Sequence, residues 1–407
     1  MTEAVIVAGR RSPVGRAYKG SLATVRADDL LVAVIRDLLS RAPGLDGRDL
    51  DDVIVGCGLP GGEQGMNIAR VATVLLGLDN VPGTTVTRYC ASSLESVRMA
   101  FHAIRAGEGD AYVCAGVESI SRAAVGNADR IPGLDVRNPA FASAMIRSEL
   151  AEEFPQRWTD PRHDGELPDV YIAMGQTAEN VADICGVTRD EQDEWAARSQ
   201  NRAEAAGRLG YWDEEIVPIT LPDGTVVRSD DSPRAGVTAT SLAALEPVFR
   251  AGGTVTAGNC CPLNDGAAAL LVMSEHAARA AGLRPLARIV SSGLSALSPE
   301  IMGLGTIEAS RKALARADLR ADDLDAVEVN EAFAAQVIPT IKQLGLSSDR
   351  VNVNGGAIAL GHPFGMTGAR MVLTLLHTLR ERDGRWGMAT MCVGGGQGSA
   401  LVIERYQ

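Results

Sequence analysis

Aromatic residues supply only 4% of this chain, although hydrophobic residues supply 46% of its 407 positions. The core must therefore be built largely from Ala, Val, Ile and Leu. Positive charge is also scarce: 39 Lys and Arg face 51 Asp and Glu, giving a formal net charge of −12. That balance argues against nucleic acid or an anionic membrane as the main partner, while a few local arginines could still hold a phosphorylated ligand. No apolar run approaches the roughly 18 residues of a membrane span. The first residues pass almost at once into the strand-like Ala4-Val5-Ile6-Val7, without the regions of a signal peptide. The closing Arg405-Tyr406-Gln407 is not a peroxisomal signal. Seven scattered cysteines, an odd number, fit a reducing compartment better than a disulfide framework. A soluble, cytoplasmic protein is expected.

Glycine, by contrast, is plentiful, with 44 residues and no collagen-like period, which points to tight turns and close backbone packing. The length suggests roughly two to three domains, and an internal echo says how they are arranged. Asp49-Leu50-Asp51-Asp52-Val53-Ile54-Val55-Gly56 is matched by Asp323-Leu324-Asp325-Ala326-Val327-Glu328-Val329-Asn330. A helical pattern precedes each copy (Leu31, Val34, Ile35, Leu38; Ile307, Leu314, Ala317). Each continues into a strand, a sharp turn and a helix: residues 83–87, Cys90 and 94–106 in the first, residues 351–354, the turn through His362 and 367–379 in the second. Apolar strands running into glycine close both, at Ala111–Gly116 and Met388–Gly396. Two similar α/β halves imply mainly parallel sheets covered by helices.

Between the halves lies an insertion of different composition, holding Trp158, Trp195 and Trp212. It carries a helical stretch from Thr177 to Cys185, a capping box at Thr188 and Glu191 opening a helix to about Gly207, and an Asp223-Gly224 hairpin signal. An excursion from a rigid core commonly carries ligand contacts.

Several motifs carry chemistry. Gly56-Cys57-Gly58-Leu59-Pro60-Gly61 has the letters of a dinucleotide turn, but Pro60 sits inside it and Asp79 precedes the next strand, so that context fails. Cys90 falls between a strand and a helix, where the helix dipole and free N–H groups favour thiolate. Cys57, Cys114 and Cys185 read as packed structural thiols. Gly355 to Pro363 holds one histidine, His362, in a rigid Gly- and Pro-rich turn, making it the candidate base. His102, His163, His276 and His377 read as surface or packing residues. Cys392-Val393-Gly394-Gly395-Gly396 places a second thiol at a strand end, beside backbone N–H groups able to bind an oxyanion. Asn330-Glu331-Ala332-Phe333 ends a neighbouring strand. Cys260-Cys261 lacks the partner spacing of a zinc site.

Taken together, the Cys90 segment, Asn330-Glu331-Ala332-Phe333, Gly361-His362-Pro363 and Cys392-Val393-Gly394-Gly395-Gly396 resemble the thiolase family over essentially the whole chain. Met174 to Ala182 and Gly258 to Ala269 add further family segments. The resemblance implies an α/β fold of α-β-α-β-α layers built from two similar halves, with an inserted loop domain that binds coenzyme A. The expected boundaries are 1–119 for the first half, completed by about 263–284, then 120–262 for the loop domain and 285–407 for the second half. Dimers or tetramers are expected, with no permanent cofactor and coenzyme A as substrate.

Carried over residue by residue, the resemblance makes Cys90 the nucleophile that accepts the acyl group. His362 activates it and helps bind one thioester oxygen, Cys392 moves the proton at the α-carbon, and Asn330 completes the first oxyanion hole through a water. The N–H groups of Cys90 and Gly394 form the second hole. Arg234, Cys261, Met174, Phe333 and Leu263 are expected to contact substrate or coenzyme A. Thr87 stands where Asn is usual, Ser93 where Gly is usual, and Cys261 where a serine contacts pantetheine. Ala173 replaces a histidine typical of biosynthetic acetoacetyl-CoA enzymes. This favours thiolytic cleavage of 3-ketoacyl-CoA in β-oxidation over acetoacetyl-CoA formation. A ketosynthase-like enzyme would pair its cysteine with two histidines, whereas the third position here is Cys392. A non-catalytic acyl-CoA or lipid-binding protein would not need all three reactive side chains.

Overall fold

The computed structural model describes residues 2–123, 125 and 137–406. The first half runs β1 (Ala4–Arg11), α1 (Ala27–Ser40), β2 (Asp52–Gly56), α2 (Ile68–Leu75), β3 (Gly83–Val86), α3 (Ser92–Ala106) and β4 (Ala111–Ser119). The insertion follows, with α4 (Ala142–Glu153), α5 (Met174–Cys185) and α6 (Arg189–Arg208), and β5 (Asn264–Ser274) then rejoins the first half. The second half is β6 (Ala287–Ala296), α7 (Gly305–Ala317), β7 (Ala326–Val329), α8 (Ala334–Leu344), α9 (Phe364–Glu381), β8 (Trp386–Val393) and β9 (Gln397–Arg405).

The strands form one sheet in the order β7-β8-β9-β6-β1-β5-β4-β2-β3, with the halves meeting where β1 pairs antiparallel with β6. The order reads outward from that seam in the same way on both sides, as a duplicated unit should. Strand direction departs from the mainly parallel expectation. Only β2–β3, β2–β4 and β7–β8 are parallel, whereas β5 and β9 return antiparallel beside β4 and β8. For β9 the reason is local: three glycines join it to β8, too short a link for a parallel crossover.

Strands buried on both faces need apolar side chains on both. Ala111, Val113, Ala115 and Val117 of β4 face a core with α1 and α2, whereas Tyr112 and Cys114 face α3 and α9. The α3–α9 core also takes Ala389, Met391 and Val393 of β8, so these two helices lie between the halves. A third core joins α7 and α8 to the insertion helices. The two halves of the one sheet thus flank α3 and α9, with α1 and α2 outside one half and α7 and α8 outside the other. The approach of α9 to α3 depends on Gly368, where a Cβ would stand 2.3 Å from the Leu94 nitrogen.

Locally coded features form as expected. Thr188 Oγ1 accepts from the Glu191 N–H (3.2 Å) while Glu191 accepts from the Thr188 N–H (2.9 Å), capping α6. Ile219–Thr220 pairs with Val226–Val227 around the Asp223-Gly224 turn. Helix α9 begins at Phe364, three residues earlier than periodicity suggests.

The strand expected at 351–354 reduces to one bridge between Val351 and Val327. Asn352 adopts a left-handed φ of 46°, and its side chain takes over the ladder. Its Oδ1 accepts from the Val329 N–H, and its Nδ2 donates to the Val329 carbonyl, both at 2.8 Å. No helix among the described residues is long and apolar enough to cross a membrane.

Candidate active site

The candidate side chains converge near the α3–α9 layer because both halves send strand-to-helix turns to the same end of the sheet. Cys90 lies in a short 3-10 turn, Tyr89–Ala91, ahead of α3, and Tyr89 holds a left-handed φ of 42°. The Arg88 N–H donates to Ser92 Oγ (2.9 Å), whose hydroxyl donates to the Tyr89 carbonyl (2.6 Å), closing the turn. Burial pushes the Cys90 thiol up to about 11, against the opposing pull of the N–H groups of Gly394 and Cys90 itself. Desolvation thus outweighs the helix terminus, and the resting group is a thiol rather than the thiolate favoured by position alone.

His362 is buried between the halves. Its backbone N–H donates to Asn264 Oδ1 (2.9 Å). Thr367 Oγ1 donates to the Pro363 carbonyl (2.7 Å) and lies 2.6 Å from His362 Nδ1, so it accepts from Nδ1–H. That network leaves an unprotonated Nε2, 3.3 Å from Asn330 Nδ2. Burial, assisted by Arg370, lowers the imidazole to about 3. It is therefore neutral near pH 7 and able to accept a proton. The Asn330 N–H is held by the Thr390 carbonyl (2.9 Å).

Cys392 is buried at the end of β8, its thiol pushed up by burial and further by Cys90 nearby. Cys261 feels burial first, then Cys260, Cys90 and Cys392, so a third thiol shares this space. The Cys261 N–H donates to the Ala332 carbonyl (3.0 Å), and Cys260 bridges to Phe333. Phe333 is buried edge-on to Phe249. A Cβ on Gly394 would stand 3.6 Å from the Tyr89 ring and 3.8 Å from the Met174 sulfur. Cys90, His362, Cys392, Asn330, Gly394, Cys261, Met174 and Phe333 are thus gathered in one region, while Leu263 lies half-exposed.

Arg234 is separate, lining a cleft with Arg16, Ser232, Gly258, Cys260 and Pro262. Its N–H donates to Gln200 Oε1 (2.8 Å). Neither the Arg234 nor the Arg16 guanidinium pairs with a carboxylate among the described residues. Sequence reasoning missed Arg16, whose place in the cleft follows from its pairing with Asn264. Thr367 was missed too, although its position five residues beyond His362 on α9 was a usable signal.

The departures from the family pattern find defined places. Thr87 donates to the Gly58 carbonyl (3.3 Å), and the buried Ser93 Oγ accepts from the Ala369 N–H (2.9 Å), joining α3 to α9. Ala173 precedes α5 without capping it by a side chain. The Gly58 and Leu59 N–H groups of the dinucleotide-like turn donate to Glu118 (2.7 and 3.1 Å), so an internal carboxylate occupies the donors a phosphate would use. Cys260 and Cys261 belong to no metal-ligating cluster among the described residues.

A thiol, a neutral imidazole, a second thiol and backbone donors on a duplicated scaffold define an enzyme site suited to acyl transfer. Residues 4–276 match the thiolase N-terminal domain and residues 283–405 the thiolase C-terminal domain. The chain therefore belongs to the thiolase family, and it is an acyltransferase. It is 45% identical to the 3-oxoadipyl-CoA/3-oxo-5,6-dehydrosuberyl-CoA thiolase of Escherichia coli, over 100% of both chains. It is 42% identical to the 3-ketoacyl-CoA thiolase of Bacillus subtilis, over 99% of this chain and 100% of that one. The crystal structure of the Bacillus anthracis acetyl-CoA acetyltransferase superposes with a TM-score of 0.86 at 38% identity, covering 100% of this chain and 99% of the other.

Proposed function

We propose that the protein cleaves a 3-ketoacyl-CoA with coenzyme A, releasing acetyl-CoA and an acyl-CoA two carbons shorter. The observation that supports this reading is the presence in one region of Cys90, the neighbouring Cys392 and the Gly394 N–H, with a buried His362 whose Nε2 lies 3.3 Å from Asn330 Nδ2. The Cys90 sulfur attacks the 3-keto carbon while His362 Nε2 takes its proton. The bond between the α-carbon and that carbonyl breaks, and the acetyl-CoA enolate takes a proton from Cys392. Coenzyme A then attacks the acyl–Cys90 thioester, its thiol proton passing to the Cys392 thiolate, and the departing Cys90 sulfur recovers its proton from His362. Each half-reaction places negative charge on a different oxygen, which calls for two sets of donors. Asn330 with His362 serves one, and the N–H groups of Cys90 and Gly394 serve the other.

Residues 120–262 form the coenzyme A-binding loop domain in this reading, between halves 1–119 with 263–284 and 285–407. The guanidiniums of Arg16 and Arg234, which pair with no carboxylate among the described residues, suit its phosphates. No permanent cofactor enters the scheme. Ala173 favours the degradative direction. The name of the Escherichia coli relative supports a dicarboxylic chain such as 3-oxoadipyl, and that of the Bacillus subtilis relative the chains of β-oxidation. Seven free thiols support a cytoplasmic location. A homodimer, alone or within a tetramer, is favoured by the outer edge of β3, unpaired among the described residues, and by Met66, 91% exposed next to Asn67, whose Nδ2 donates to the Gly83 carbonyl.

The test is CoA-dependent cleavage of 3-oxoadipyl-CoA and of unbranched 3-ketoacyl-CoA from C4 upward, together with acetoacetyl-CoA synthesis from acetyl-CoA. Absence of cleavage on every chain would refute the degradative reading. Faster synthesis than cleavage would favour the biosynthetic one.

A further inference from the structure

The turn that presents the Gly394 N–H is held within its own half at its far end, where the Leu297 N–H donates to the Gly396 carbonyl (2.8 Å). Gly394, Gly395 and Gly396 are consecutive, with Gly395 and Gly396 at left-handed φ values of 76° and 79°, a sequence with much conformational freedom to lose. An oxyanion donor is effective only when it is already in place. At Gly394 itself a further restraint reaches across from the other half of the molecule, through the residues just before Cys90. Arg88 donates from Nη1 to Gln397 Oε1 (2.9 Å) and from Nε to Glu95 Oε2 (3.0 Å). Arg98 donates to Glu95 Oε1 (2.9 Å), fixing that carboxylate on α3. Gln397 in turn donates from Nε2 to the Gly394 carbonyl (3.5 Å). The Tyr89 ring, set by its left-handed backbone, lies against Gly394 and Gly395.

We propose that Arg88 and Gln397, with the Tyr89 ring, are positioning residues that hold the Gly394 N–H at the Cys90 sulfur and thereby serve the acyl-transfer half-reaction. This inference rests on the thiolase reading and adds a division of labour to it. The clamp acts on the donors around Cys90, whereas the Asn330–His362 donors are held separately, through Thr367, Asn264 and the Thr390 carbonyl. Loss of the clamp should therefore slow acylation of Cys90 and spare proton exchange at Cys392.

Gln397→Leu removes both hydrogen bonds at a partly exposed strand start, and Arg88→Lys keeps the charge but loses the planar fork. Two readouts separate the half-reactions: the rate of Cys90 acylation by acetyl-CoA, followed by mass spectrometry, and deuterium exchange at the acetyl-CoA methyl once acylation has reached its plateau. Losing a donor outright costs about 10²–10³-fold, and here the donor remains but is loosened. Acylation is expected to fall roughly 10- to 100-fold in either variant, with exchange changed by less than about threefold. The double variant should be no worse than the poorer single one, because both act on one element. Gln397→Asn, which keeps the amide but is too short to span both partners, should behave like Gln397→Leu and serves if that variant folds poorly. Equal losses in both readouts, or no loss in acylation, would overturn the proposal. A wild-type enzyme that forms no Cys90 adduct would overturn the proposed function of Cys90, and this inference with it.

Discussion

Alkylation of Cys90 as a function of pH tests how this proposed nucleophile is activated. Burial raises the thiol to about 11, and the same burial lowers His362 to about 3. Between those limits the resting pair is neutral thiol and neutral imidazole, not thiolate and imidazolium. At pH 7 a pKa of about 11 leaves roughly one thiol in 10⁴ ionised. The thiolate is the form that iodoacetamide attacks. The alkylation rate, followed by mass spectrometry of the peptide containing Cys90, should rise about tenfold per pH unit from 6 to 10 without a plateau. His362→Asn should follow the same slope, because an uncharged ring contributes no stabilising charge to remove. Its acylation by acetyl-CoA should nevertheless collapse, since the base that takes the proton during attack is gone. A plateau with a midpoint near pH 7 that disappears in His362→Asn would refute this reasoning and show a preformed ion pair.

Cys392→Ala should still form the Cys90 acyl adduct but lose deuterium exchange and cleavage, by about 10²–10⁴-fold as is typical of a lost proton-transfer group. Loss of the adduct itself would reverse the roles of the two thiols. Arg234→Ala should raise KM for coenzyme A with kcat nearly intact, and an unchanged KM would place the nucleotide elsewhere. Asn352→Ala strips partners from the Val329 N–H and carbonyl, while Glu331 Oε1 keeps the Trp195 Nε1 donor. At about 1–3 kcal/mol for each buried group left unpaired, unfolding in urea should report a loss of a few kcal/mol. An unchanged midpoint would mean that the backbone finds other partners there.

Much of the proposed site was legible in the sequence because its turns are local objects. Glycines and a proline mark the His362 turn, three glycines mark the turn after Cys392, and a strand-to-helix junction marks Cys90. The repeated Asp-Leu-Asp pattern at 49–51 and 323–325 announced the duplicated halves, and the Thr188–Glu191 box announced α6. Each depends on residues a few positions apart, whose propensities act before tertiary contacts form.

What the tertiary structure decided involves partners far apart in the chain. The direction of β5 follows from where the chain re-enters after the insertion, which no local pattern encodes. Asn352 could replace a strand because Val329, distant in sequence, lay opposite its side chain. Glu118 took the amides of the glycine turn at 56–61 that phosphate would otherwise use. The thiol state at Cys90 turned on burial, which a helix-terminus argument does not count. The Arg88–Gln397 bond links residues at opposite ends of the sequence. Local chemistry marked the candidate reactive groups; the packing of one half against the other set their surroundings and the partners that hold them in place.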